Sequence, residues 1–305
     1  MSPGALARTA RSRHIDILAL TDHNASLNSL PFAVACAGLG IIPLFGIEMC
    51  SSEEVHLLAL FPTPRDALAF GAALHPLLPS LAWDPGTFGD QVVVDDEERV
   101  LELHGRWLGA ALDAAFGDLA EKARLAGALV IPAHVDRGMF SVYSQLGFLP
   151  PGPWDAVESM GVPPPSLSGG HTVVSGSDAH CPEHIGRRPF VVDMEEDEAL
   201  EMKNALEVFS AALAAWHIAA RAKTARATAA AGDAAARTAA AAGDTAAYAP
   251  PPPEAEAEFG GYSELLADPR LGLYPEDRAK RFFEALRAAL RSGKVLAAHL
   301  PKPLV

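Results

Sequence analysis

The chain has 305 residues, half of them hydrophobic, and a formal net charge of -14. That length and apolar content allow a sizeable core in one large domain or two, so the chain should fold as a globule. Its acidity argues against an unaided grip on a nucleic-acid backbone, which rests largely on Lys and Arg; a small substrate, or one held through metal ions, fits better.

Ser2 and Pro3 make a good helix opening, with Ser as N-cap and Pro in the first turn, and a short helix is expected over Ala5 to Arg13. Strand Ile15 to Leu20 runs into Asp22 and His23. A helix over Pro31 to Ala37 is closed by Gly38 and Gly40, and the β-branched run Ile41 to Ile47 ends at Glu48. Helix, strand, helix, strand is the alternation of a parallel sheet or barrel. Val55 to Phe61 is another apolar strand and carries His56, which by default is a core histidine.

Further on, Arg65 to Leu78 is expected to be helical, Gln91 to Leu103 a small hairpin around Asp95 and Asp96, and Arg106 to Ala126 a long amphipathic helix. His75 and His104 have no acids at metal-ligand spacing and are read as surface residues. Ala128 to Pro132 leads into His134, followed at once by Asp136 and Arg137. This neighbouring carboxylate and guanidinium read equally as a surface ion pair or as a clamp for an oxyanion or phosphate. Trp154 to Ser159 is a further strand candidate, Thr172 to Val174 precedes Asp178 and His180, and Pro189 to Met194 is apolar enough for another strand.

From Glu195 the composition changes. Ala211 to Ala247 is more than half alanine and gives way to a proline run and an acidic stretch, without a wide apolar stripe. Three units are therefore expected: 1–194 as the main domain, 195–260 as an Ala/Pro-rich insertion or linker, partly disordered, and 261–305 as terminal helices and a short strand rejoining the main domain. Cys36, Cys50 and Cys181 form no CxxC, which indicates neither a disulfide framework nor a zinc knuckle but a reducing compartment. With no apolar run of about 18 residues and no secretory leader, a soluble cytoplasmic protein is expected, with no membrane partner.

Five apolar runs thus each set down a ligand-type residue at or near an end. His23, Glu48, His56, His134, Asp178 and His180 are the candidate metal ligands, with Asp22 beside them. Catalytic groups gather at strand ends in sheets of this class. Mixed imidazole and carboxylate donors suit Mn, Zn or Fe, two or three ions per chain, with Glu48 as the natural bridge. Such ions activate water, which makes hydrolysis the expected reaction.

These motifs resemble the PHP (polymerase and histidinol phosphatase) superfamily. The carriers are LALTDHN at Leu18 to Asn24, FGIE at Phe45 to Glu48, EVHLLALF at Glu54 to Phe61, IPAHVDR at Ile131 to Arg137 and SGSDAHCPEHIG at Ser175 to Gly186. The resemblance covers about residues 3 to 194, in the family's order. It implies an α/β fold of the distorted (β/α)7 TIM-like barrel type with a trinuclear site, and hydrolysis of a small phosphorylated substrate, a phosphomonoester or phosphodiester. It also implies the six ligands above, with Asp22 supporting a ligand or handling protons; Asp136 and Arg137, from their place just after His134, are the other candidate catalytic groups. A metal-dependent hydrolase acting on an amide or lactone is the alternative, as is an inactive remnant. The family opens with a strand bearing His-x-His, and nothing ahead of the first helix supplies it, so a barrel one strand short and a site two ligands short are expected.

Overall fold

The computed structural model describes residues 1–81, 84–161, 170–241 and 261–297. Its helices are α1 (Pro3–Ser12), α2 (Ser29–Ala37), α3 (Pro64–Leu74), α4 (Pro85–Phe88), α5 (Phe116–Leu125), α6 (Val142–Leu146), α7 (Glu196–Ala241), α8 (Tyr262–Leu266) and α9 (Glu276–Arg291). Its strands are β1 (Ile17–His23), β2 (Ile42–Cys50), β3 (His56–Phe61), β4 (Val92–Val94), β5 (Val100–Leu103), β6 (Leu129–Pro132), β7 (Val157–Glu158), β8 (Val173–Val174), β9 (Phe190–Val192) and β10 (Val295–Ala297).

The main sheet runs in the order β1-β2-β3-β6. Strands β1 and β2 are parallel, as expected, because α2 supplies the crossover between them. Strand β3 follows β2 after the short turn 51–55, which leaves no room for a crossover, so it returns antiparallel; β6 is antiparallel to β3 in turn. Past β6 the sheet's direction is carried on by Asp155 N–H donating to Val130 O (2.9 Å) and Val135 N–H to Glu158 O (2.8 Å). Strand β7 pairs in parallel with β8, and β9 pairs with β10. The result is a mixed α/β fold. Among the described residues the strands do not close into the expected (β/α)7 barrel.

Strand β2 is buried along its whole length, as a strand covered on both faces must be. Phe45 at its centre meets Phe32 of α2 (6.1 Å between ring centroids) and Tyr274 (5.5 Å), and Tyr274 meets Phe209 of α7 (5.3 Å). One aromatic cluster therefore fastens α2, α7 and the segment before α9 to the same strand. A Cβ on Gly46 beside it would come within 2.7 Å of Leu60 Cδ2 and Thr21 Cγ2, so any larger residue must push both side chains aside.

Helix α1 starts where the sequence puts it, with Ser2 Oγ accepting from Ala5 N–H and Pro3 in the first turn. The long helix expected over Arg106 to Ala126 is confined to α5. Its would-be first half is held otherwise: Asn24 Nδ2 donates to Leu108 O and Ala110 O, and Leu112 N–H to Cys50 O. With the Leu112 N–H given to β2 and two carbonyls turned to Asn24, the backbone there follows the sheet edge and not a helix.

The expectation that residues 195–260 form a linker is corrected for its first part. Met202, Leu206, Phe209 and Leu213 recur at helical spacing on α7 and are buried in the main core. Alanine enrichment further along the helix masked that stripe. The proline run and acidic stretch at 249–258, like His299, lie outside the described residues. Helix α9 buries Ala279, Phe282, Phe283, Leu286 and Leu290 in the same core. The hairpin β4–β5 is tied to both later segments through Asp96, which meets His217 Nε2 at 2.7 Å and Arg270 Nη1 at 2.5 Å. Among the described residues no helix is long and apolar enough to cross a membrane.

Candidate metal centre

Sheet register brings the first three candidate ligands together. His23 lies directly across from Glu48 in the β1–β2 pair, and His56 lies diagonal to Glu48 because Cys50 is its direct partner in β2–β3. Same-face neighbours of this kind are within side-chain reach. His134 arrives from beyond β6: its positive φ of 29° turns the ring aside instead of continuing the strand.

Glu48 is the hub. Its Oε1 is 2.9 Å from His56 Nδ1 and 3.1 Å from His134 Nε2, those two nitrogens are 3.2 Å apart, and Oε2 faces His23 Nδ1 at 3.8 Å. Donors on a tetrahedral zinc ion at 2.0–2.1 Å are roughly 3.3 Å from one another. The Glu48–His56–His134 triangle has that size. One ligand atom each from His23, Glu48 and His56 forms a second group within 4.8 Å. The two oxygens of Glu48 thus look toward two overlapping donor sets.

Asp178 and His180 complete the cluster on the His23 side. The His180 ring is 6.0 Å from that of His23, and its Nδ1 is 3.5 Å from Asp178 Oδ1. Two guanidiniums attend Asp178: Arg137 Nη1 donates to its Oδ2 at 3.3 Å, and Arg187 Nη2 stands 3.9 Å away while donating to the Asp178 carbonyl. Arg137 therefore pairs with Asp178 and not with its neighbour Asp136. Both oxygens of Asp136 are taken, by the Ser159 hydroxyl (3.0 Å) and the Met160 N–H (2.7 Å). Asp136 thereby fastens the loop after β7.

Asp22 also stands apart. Successive residues on a strand face opposite ways, and Asp22 shares none of His23's partners. Burial pushes its carboxyl up, with the Asn28 side chain opposing.

Electrostatics distinguish the members. Burial opposes charge on Glu48, yet hydrogen bonds from His134 and His56 outweigh it and hold the carboxyl well below its usual range. His134 is raised, its contacts with Glu48 overcoming burial. His23 is lowered, chiefly by burial, so its lone pair is free at neutral pH. Cys50, next to the cluster, is a packing residue: burial pushes its thiol up to about 12.

Glu158 was not among the sequence candidates. It is buried at the end of β7, and a Cβ on Gly176 would come within 2.3 Å of its Oε1, so glycine makes the space it occupies. Burial, and then the carboxylates of Glu48 and Asp178, push it up to about 7, with His134 and Arg188 opposing. The signal was an acid closing the run Ala156-Val157, the same pattern that marked the others.

Three buried or nearly buried carboxylates beside several imidazoles form a donor set suited to a divalent cation. The Nδ1 atoms of His23 and His134 are buried without a hydrogen-bond partner. His134 (29°) and Asp178 (44°) both have positive φ, as does Phe140 (57°), whose ring stacks on His56 at 5.0 Å. Strained non-glycine backbone of this sort collects where a site over-determines its residues.

Raising an acid's pKa in the folded state costs stability as the pH rises from the unfolded value toward the folded one. For Glu158 that window runs from the ordinary glutamate range to about 7. In metal-free protein, Glu158→Gln is therefore expected to gain about 2–3 kcal/mol over the parent at pH 8 and almost nothing below pH 4.5. Urea unfolding at the two pH values measures it, and an equal effect at both would refute the assignment.

No family model and no curated protein matches the sequence. Similarity to solved structures is partial. The lesion-specific endonuclease EndoQ of Pyrococcus furiosus matches with 20% identity and a TM-score of 0.43, over 68% of this chain and 51% of that one. Endonuclease Q bound to a duplex with an abasic lesion matches with 17% identity and a TM-score of 0.43, over 68% and 52%. A proposed metal-dependent phosphoesterase from Bifidobacterium adolescentis matches with 15% identity and a TM-score of 0.42, over 68% and 91%. The chain spans about half the length of the two endonuclease chains.

Proposed function

We propose that the chain is a metal-dependent phosphoesterase of the PHP type, acting on a small phosphomonoester or phosphodiester. The observation that carries the reading is the convergence of His23, His56 and His134 on the two oxygens of one buried glutamate, Glu48. In this reading His23, Glu48, His56, His134, Asp178 and His180 hold two or three ions of Mn, Zn or Fe. When bound, such ions polarise a phosphoryl oxygen and bring the pKa of a water near neutrality.

The chain's own residues supply the rest. Glu48 bridges the two donor sets, and its depressed pKa keeps it ionised throughout the working range. Arg137 and Arg187, held beside Asp178, are placed to take the non-reacting phosphoryl oxygens; guanidinium forks suit this task. Their presence favours a phosphoester over a neutral amide or lactone. Phe140 covers one face of His56 and limits the water reaching that side.

The test is hydrolysis of p-nitrophenyl phosphate and bis(p-nitrophenyl) phosphate by protein loaded with manganese or zinc. Turnover is expected to disappear on chelation and return on reloading. His134→Ala and Asp178→Ala should abolish it without unfolding the protein. A metal-loaded protein that turns over a lactone or amide but neither phosphate ester would exclude the phosphoesterase reading.

A further inference from the structure

Two histidines outside this centre, which the sequence places at the surface, meet in the fold. His75 caps the C-terminal end of α3, and His104 follows β5; their rings are 5.7 Å apart between centroids and inclined edge to face at 67°. The His104 side chain is only 9% exposed. Its Nδ1 lies 3.1 Å from Glu102 Oε1, while its Nε2 is buried without a hydrogen-bond partner.

With Glu102 accepting from Nδ1–H, Nε2 carries the lone pair; this tautomer follows from the hydrogen-bond network. A buried lone pair with no donor lacks the partner that buried polar atoms ordinarily have. A carboxylate behind one ring nitrogen, with the other nitrogen open, is the arrangement of a metal-ligating histidine. The second imidazole has the right protonation state as well. Burial, then Arg106 and His104, pull the His75 pKa down, which leaves it neutral.

We propose that His75 and His104 form a second cation site, for one divalent transition ion such as zinc, with Glu102 orienting His104 and water filling the remaining positions. Its donors come from the ends of α3 and β5, not from the strands that carry Glu48, so the site stands whether or not the phosphoesterase reading does. Imidazole pairs favour zinc or copper over magnesium or calcium. Tyr262, 6.0 Å from His75, borders the site and accepts the N–H of Ser26, four residues from Asp22 in the chain.

Zinc titration of the full chain against a chromophoric competing chelator tests this. His75→Asn and His104→Asn are each expected to lose one equivalent, or to weaken that equivalent roughly tenfold or more. Glu48→Gln should retain it. His75 is half-buried, so His75→Asn tests the site even if His104→Asn fails to fold, with circular dichroism as the check. Unchanged stoichiometry and affinity in a folded His75→Asn would mean that water satisfies His104 and would overturn the proposal. If Glu48→Gln leaves zinc binding intact while His75→Asn removes one equivalent, the principal centre fails and the second site stands.

Discussion

Glu48→Gln should remove metal binding at the principal centre and turnover together. The substitution keeps size and shape but replaces a carboxylate that meets two imidazole nitrogens at 2.9 and 3.1 Å and faces a third at 3.8 Å. Outer partners of metal ligands typically change affinity 10–100-fold, so loss of a bridging ligand should cost at least about 100-fold, read by calorimetric titration with manganese or zinc. Hydrolysis should fall in parallel. An undiminished number of tightly bound ions would show that Glu48 is not a ligand.

The same substitution carries a pH signature in metal-free protein. Glu48 is depressed, so its share of stability is present above the ordinary glutamate range and is lost as the pH falls toward its folded value. His134 is raised, so its share is present below the ordinary imidazole range and is lost as the pH rises through its folded value. The pair therefore acts at full strength between about pH 4.5 and 6.5. The stability gap between parent and Glu48→Gln should be widest there; a gap that grows steadily to pH 9 would contradict the pairing.

Asp155→Ala should destabilise the fold markedly. The Asp155 side chain is almost wholly buried just before β7. It accepts the Val130 N–H at 2.9 Å and the Arg291 Nε–H at 2.6 Å, and Arg287 lies 3.7 Å away. One carboxylate thus joins β6 to the last turns of α9. Its removal leaves a buried N–H unsatisfied and a partly buried guanidinium unpaired; since Arg291 is more than half exposed, water recovers part of the loss. The expected cost is about 2–4 kcal/mol by urea unfolding. A loss under about 1 kcal/mol would mean that α9 is held by its apolar face alone.

How far the sequence reading reached depends on the range of the interaction concerned. The cap at Ser2, the apolar runs that became β2, β3 and β6, and the hairpin at 91–103 were all legible, because each is dictated by neighbours within a few positions. So was the recurrence of acids and imidazoles at strand ends. The Arg106 to Ala126 segment misled because its helical periodicity was real, while Asn24, more than eighty positions earlier, claimed its carbonyls. His104 was read as a surface residue because no acid was credited to it; Glu102, two positions earlier, holds its ring, and the other histidine, His75, is far away in sequence.

Residue types and their local spacing were enough to nominate His23, Glu48, His56, His134, Asp178 and His180, since imidazole and carboxylate donors suit these ions wherever they stand. Which of the nominated groups meet was a matter of strand register and of single backbone angles. Direct pairing set His23 against Glu48, a diagonal offset added His56, and a positive φ swung His134 in, while the pleat of β1 sent Asp22 the other way. Those are long-range geometric facts, and no window of neighbouring residues contains them.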